Sequence, residues 1–256
     1  MERLTDAVEL LDGPLDDPTA LAGNLRDLGR INRRLGGVRL SAAALDALSS
    51  HRADLTLIDI GTGGADIPVA LIDRARRRGR RLRVVGVDAR PEVLAAAVRT
   101  NPTLMTTNDL ELHVGDGRRL AYADRSFDIA HASLVLHHLE REDAGRVLGE
   151  MRRVARLGVV VNDLERSRVA LFGAWLIGHV LTGNRLTRHD APLSVRRAYR
   201  ATELAAMLRA AGLIPVTTVR GTLGQRYAIA AVIDPDHGRE PAPSDLPPDP
   251  HGAGDP

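Results

Sequence analysis

From residue 55 onward, short β-branched apolar runs alternate with amphipathic stretches, the pattern of a parallel sheet with crossover helices. The runs at 55–60, 82–88, 110–114, 127–132 and 158–163 predict five strands, with helices beginning near Asp66, Pro91 and Glu140. A helix over 202–211, closed by Gly212, leads into two more strand-like runs, 214–220 and 226–233. The short link between them, through Gly221 and Gly224, predicts an antiparallel pair. Before residue 55 the apolar positions read as helices over 4–11, 17–37 and 41–52. Pro18 and Ser41 are the start signals there, and Gly36-Gly37 is a stop. The expected organisation is a helical N-terminal cap over 1–54, an α/β domain over 55–233, and a disordered tail over 234–256. That tail is rich in Pro, Gly and Asp and too polar to bury a core.

Residues 165–200 interrupt the alternation, and insertions of that length in compact domains usually serve function. The insertion opens with the most apolar stretch of the chain, 169–181, about 13 residues against the ~20 a membrane span needs. It continues in the polar sequence RLTRHDAPLSVRRAYR. A water-excluding lid is expected, with Phe172 and Trp175 as apolar wall. Arg188, Asp190, Ser194, Arg196 and Arg197 would be its polar anchors and His189 a reserve base. Ordinary helix packing with solvated arginines explains each of these residues equally well.

Composition narrows the chemistry. The 256 residues are 44% apolar and 27% charged, as in one ordinary globular domain. Cysteine is absent, which excludes disulfides, thiolate nucleophiles and Cys-ligated metals, and no metal site is expected. All 35 Lys+Arg residues are Arg, which excludes Schiff-base chemistry and a P-loop lysine. Net charge is only +2, and the arginine run over 74–83 falls at a helix C-terminus, where cations complement the helix dipole. With one Trp, three Tyr and two Phe there are few stacking platforms, so no nucleic-acid partner is expected. The N-terminal segment MERLTDAVELLDG has neither the basic nor the apolar region of a secretory signal, so a cytoplasmic location is expected. A homodimer stays open.

The segment Leu57-Ile-Asp-Ile-Gly-Thr-Gly-Gly-Ala-Asp66 follows a strand and opens a helix, where doubly wound sheets bind nucleotide-like ligands. It fails the dinucleotide fingerprint, because Asp66 stands where the third Gly or Ala belongs. Asp59 and Asp66 would repel a pyrophosphate and suit a cationic ligand.

Together with Val84-Val-Gly-Val-Asp88, Gly115-Asp116-Gly117 and Phe127-Asp128, this segment resembles the class I S-adenosylmethionine-dependent methyltransferases over about residues 55–163. The resemblance implies a Rossmann-like, seven-stranded, mostly parallel α/β sheet with an antiparallel last strand, and S-adenosylmethionine as cofactor. It places Asp59 near the methionine moiety, Gly61, Thr62, Gly63 and Gly64 along the cofactor, and Asp88 with Ala89 at the ribose. Asp116 and Gly117 would face the adenine. Ala65 departs from the third glycine that many members carry. An arginine from the segment 30–37 would pair with the cofactor carboxylate.

The stretch 127–139, FDIAHASLVLHHL, resembles the ubiquinone/menaquinone-biosynthesis-like (type 11/25) branch of that family, with Ser133 and Leu134 as cofactor-side contacts. His137 and His138 sit at the mouth of the expected site and are candidate general bases. Packing or capping of the next helix explains the pair as well. The resemblance implies transfer of a methyl group to a small, largely apolar metabolite. O-methylation of a phenolic or polyketide-like bacterial secondary metabolite comes first and C-methylation of a quinone-like ring second. A non-catalytic cofactor-binding regulatory protein is the competing reading.

Overall fold

The computed structural model describes residues 1–5, 7–49 and 52–237. Its sheet consists of β1 (Asp54–Ile60), β2 (Arg81–Asp88), β3 (Leu110–Val114), β4 (Phe127–Ser133), β5 (Ala155–Leu164), β6 (Leu213–Arg220) and β7 (Arg226–Ile233). The strand order is β3-β2-β1-β4-β5-β7-β6. β1 to β5 pair in parallel, and β7 runs antiparallel to both β5 and β6. This is the seven-stranded α/β sheet with an antiparallel last strand that the resemblance implied.

Side-chain alternation buries both faces. Leu57, Ile129, Val160 and Ala228 point into one apolar layer, with Leu40 of α2 (Gly37–Ser49) and Leu71 of α3 (Asp66–Arg77). Ile58, Ala130, Val159 and Ile229 point into the other, with Leu148 of α5 (Arg141–Val154) and Leu204 of α8 (Ala201–Ala210). Burial on both faces is why the strands read as nearly unbroken apolar runs. α1 (Pro18–Arg34) starts on an Asp17 cap that accepts from the N–H groups of Thr19 and Ala20, and α4 (Pro91–Thr100) starts on its proline. The insertion folds as α6 (Arg168–Leu176), a π-turn over Ile177–Leu181, and α7 (Arg185–Arg197).

Two expectations change. Among the described residues of 4–11, which leave out 6, no α-helix forms. They run as a strap with one 3-10 turn, Leu10–Asp12, whose Leu10 and Leu11 N–H groups bond Asp190 of α7 at 2.8 and 3.0 Å. So short a segment cannot nucleate alone, and the tertiary acceptor takes its donors. Ser41 is not a helix start: α2 begins at Gly37, after Gly36 turns the chain at φ 89°, and the Ser41 hydroxyl is bonded inside the protein. The disordered tail was expected over 234–256, and its residues 238–256 lie outside the described residues. In the arginine run, Arg74 and Arg78 pair with Asp46, while Arg76 and Arg81 pair with Asp109.

Candidate functional site

The strand order reverses at β1, which has β2 on one side and β4 on the other, and this opens a crevice beyond the carboxyl ends of the strands. A cavity of about 780 Å³ occupies it, within the range of small-molecule sites.

The glycine turn forms one wall. Gly61 and Gly63 take φ of 65° and 53°, and a Cβ on Gly61 would lie 2.4 Å from the Val135 side chain, so only glycine fits. Ala65 adopts the same left-handed region at φ 54°, which explains why a glycine is commonly found there. The turn is tied to the tip of β2: Thr62 N–H bonds the Val87 carbonyl at 3.0 Å and Gly63 N–H bonds Asp88 at 3.0 Å. The other Asp88 oxygen accepts from Arg90 N–H at 3.0 Å. Burial raises the Asp88 pKa, and both backbone bonds only partly oppose it. The Arg90 guanidinium turns away from this carboxylate and grips the carbonyls of Leu11 and Gly13 at 2.7 and 2.8 Å.

Beneath the turn lies a buried polar chain. The Asp59 carboxylate accepts from His131 Nδ1 at 2.6 Å, and His131 Nε2 lies 2.8 Å from Ser41 Oγ. Asn162 donates to Ser41 at 2.7 Å and accepts from Arg226 Nε at 2.6 Å. Arg226 also donates to Asn32 at 2.7 Å and to Ser133 at 2.8 Å, and Asn32 donates to Asp66 at 3.1 Å. Burial lowers the Arg226 pKa to about 10, against the pull of Asp163 and Asp66, so the guanidinium stays charged at neutral pH. Burial likewise raises Asp66, opposed by the Asn32 bond and the Arg226 charge.

The opposite wall carries both histidines. Buried His137 holds Asp163 through Nδ1 at 2.6 Å, and its backbone N–H reaches the second oxygen at 3.3 Å. Burial alone would raise Asp163, but the charge and hydrogen bond of His137 outweigh it and leave its pKa lowered. His138 pairs with Asp12 of the strap at 2.9 Å. Burial opposes charging this ring, yet the Asp12 bond and the charges of Glu9 and Asp12 prevail and raise its pKa. The strap is braced by Ser194, which donates to Glu9 at 2.7 Å, and by Arg197, which reaches Asp12 at 3.0 Å and the His138 carbonyl at 2.6 Å.

Asp59, Gly61, Thr62, Gly63, Gly64, Asp88, Ala89, Asp116, Gly117, Ser133, Leu134, His137 and His138 all line the one cavity. Asp116 is held by Arg118 at 2.8 Å, which lowers its pKa, and a Cβ on Gly117 would sit 2.6 Å from Ile60. Leu134 ends β4 in the left-handed region at φ 58°, a conformation that aims the 134–138 backbone across the cavity.

Other candidates fall elsewhere. Phe172 and Trp175 are 64% and 48% exposed and lie off the cavity wall, because α6 turns Ala170, Gly173 and Ala174 inward instead. Arg188 and His189 are exposed, and His189 bonds Asp190 rather than facing the cavity. In the segment 30–37, Arg30, Arg33 and Arg34 face outward, and Asn32 is the polar side chain turned in, beside Ile31 and Leu35. No metal site was expected, yet Glu9, His137 and His138 bring one ligand atom each within 4.8 Å of one another. The Arg197 guanidinium, 3.7 Å from Glu9, already supplies positive charge there. Glu9, Asp12, His131, Asp163 and Arg226 escaped the sequence reading. Asp163, a strand-tip acid like Asp59 and Asp88, was the one with a visible signal.

The donor set fits a cationic nucleoside. Asp88 offers a half-buried carboxylate whose partners here are two backbone N–H groups, and Asp59, Asp66 and Asp116 add negative charge around the turn. A polyphosphate would meet acids there, with the guanidinium groups of Arg90, Arg118 and Arg226 already bonded to protein acceptors.

Comparison with known proteins agrees. Residues 58–161 match the family model described as Methyltransferase domain. No curated protein matches the chain. Among solved structures, a SAM-dependent methyltransferase from Aquifex aeolicus is similar at 17% identity and TM-score 0.61, over 85% of this chain and 98% of that one. Magnesium protoporphyrin IX methyltransferase from Synechocystis PCC 6803, with bound SAH, is similar at 16% identity and TM-score 0.57, over 90% of each chain. Human N-acetylserotonin methyltransferase in complex with SAM gives 15% and 0.60, over 85% of this chain and 56% of that one. At such identities the likeness is one of fold.

Proposed function

We propose, from the match of residues 58–161 to the Methyltransferase domain model, that the protein is a class I S-adenosylmethionine-dependent methyltransferase that methylates a hydroxyl group of a small, largely apolar acceptor, with His137 as general base. The observation that carries this reading is the buried His137–Asp163 pair on the cavity wall. Bound in the crevice, S-adenosylmethionine supplies an electrophilic methyl group on a sulfonium. Asp88 would accept hydrogen bonds from its ribose hydroxyls, and the carboxylates around the glycine turn would favour its positive charge. Asp163 fixes the His137 tautomer with the proton on Nδ1, which leaves Nε2 free to accept a proton. An acceptor phenol has pKa ~10, so ionising it at pH 7 costs roughly 4 kcal/mol without a base. His138, occupied by Asp12 of the strap, is left to orient a polar part of the acceptor rather than to take its proton. Apolar Leu28, Ile31, Val135 and Ile177 on the cavity wall exclude water around it.

The direct test offers matched acceptors, a phenol and its methyl ether, and measures release of S-adenosylhomocysteine. Turnover of the phenol alone, with the methyl group on oxygen, is expected. A methyl group on ring carbon, or no turnover of any hydroxylated acceptor, overturns the reading.

Asp88 gives a second expected result. Asp88→Asn keeps the shape and removes the charge, so cofactor affinity measured by calorimetry should fall roughly 10- to 100-fold, the worth of one charged hydrogen-bond acceptor. Because burial raises the Asp88 pKa, the wild-type affinity should decline on acidification sooner than an ordinary aspartate would allow. The uncharged variant should lack that decline. Unchanged affinity in Asp88→Asn contradicts the ribose assignment.

A further inference from the structure

We propose that the outer face of α6 and the π-turn docks on an anionic lipid surface, so that the mouth of the cavity opens toward a bilayer. Along this element Arg168, Val169, Phe172, Trp175, Leu176, His179 and Val180 are exposed. They recur every three or four residues and so form one stripe. The rings of Phe172 and Trp175 stack at 6.2 Å and those of Trp175 and His179 at 4.8 Å, giving a preformed aromatic ridge. The other side of the same element lines the cavity through Ala170, Gly173, Ala174 and Ile177. Val169 and Leu176 belong to both sides and stand on the rim. A continuous apolar ridge facing water marks a contact site.

Charge identifies what covers it. Residues 166–189 contain four arginines and no Asp or Glu. Arg166 is buried against Glu203, whereas Arg168, Arg185 and Arg188 are exposed and make no ion pair among the described residues. Arg168 precedes the ridge, and the Arg188 backbone packs against Gly178 within it, so cations flank both ends. An aromatic ridge framed by arginines, with no acid in its own sequence and with the neighbouring Asp27 carboxylate bonded to the Thr182 and Thr187 hydroxyls, is the composition of a helix lying among lipid headgroups. A second copy of the chain fits worse, because two-fold pairing through this face would set the same arginines against each other. Among the described residues no helix is long and apolar enough to cross a membrane, so the contact is peripheral. The inference concerns the outer face alone and holds whichever acceptor atom is methylated.

Trp175 is the single tryptophan, so docking has a built-in reporter. The full chain is floated with phosphatidylcholine vesicles, alone or with about one quarter phosphatidylglycerol. The expected result is co-flotation and a blue shift of Trp175 emission with the anionic vesicles, reversed at ~0.5 M salt. Phe172→Asp should weaken this binding roughly tenfold or more, with unchanged circular dichroism because the side chain is exposed. Arg168→Glu combined with Arg188→Glu should abolish the preference for anionic lipid while leaving the ridge intact. Absence of anionic-vesicle binding, or equal binding to neutral vesicles, overturns the proposal. So does a lipid-free dimer, seen by sedimentation velocity, that Phe172→Asp dissociates. None of these readouts involves methyl transfer, so failure here leaves the proposed reaction standing, and the reverse.

Discussion

His137→Ala is expected to lower kcat by roughly 10²- to 10⁴-fold, the usual contribution of a positioned general base. Cofactor affinity should change little, because the ring sits on the wall opposite the glycine turn. The substitution also strips buried Asp163 of its partner, so Asp163→Asn provides the control. The amide keeps the shape and still occupies the site, but cannot stabilise the imidazolium that forms as the proton arrives. kcat should therefore fall in Asp163→Asn as well, though less than in His137→Ala, with KM nearly unchanged in both. The native Asp163 pKa is lowered, so the stability it contributes is present above the ordinary aspartate value and is lost only as pH falls through the lower folded value. Chelator treatment separates a base from a metal ligand at His137. Activity that a chelator removes and a divalent cation restores would make His137 a ligand and end the general-base assignment.

Arg226→Met is expected to destabilise the fold by roughly 3–5 kcal/mol, since removing one partner from a buried polar network strands the others. Asn162, Asn32 and Ser133 each lose a donor, and a buried unsatisfied acceptor costs ~1–3 kcal/mol. For a domain of this size the melting temperature should fall by roughly 10 °C. Arg226→Lys keeps the charge but lacks the planar fork that reaches three acceptors at once, so it should recover only part of the loss. A melting temperature within about 2 °C of wild type for Arg226→Met would mean that the network relaxes around water and does not hold the crevice.

The sheet was legible because burial on both faces leaves a simple record. The runs 110–114 and 226–233 coincide with strands β3 and β7, and helix starts at Asp66 and Pro91 fall on their local start signals. The acids and glycines around the crevice were legible too, since strand tips and tight turns fix residue type locally. What the sequence hid has a common cause. His131 lies within a strand-like run, and its Asp59 partner is 72 residues away. The strap over 4–11 has helical spacing, but the Asp190 carboxylate claims its donors. α6 is apolar on both sides, so periodicity could not tell which side meets the cavity, and Phe172 and Trp175 went to the wrong one.

Arg226 reaches the crevice from the first residue of its strand, because β7 runs against its neighbours and begins at the edge where they finish. The connection over 221–225, closed by Gly221 N–H on the Arg226 carbonyl at 2.8 Å, thus meters where that guanidinium lands. One residue added or removed there would slip the ladder by a step and swing Arg226 to the far side of the sheet. Loop length at this hairpin, whose Leu223 and Gln225 also line the cavity, is thereby under the same constraint as the site itself.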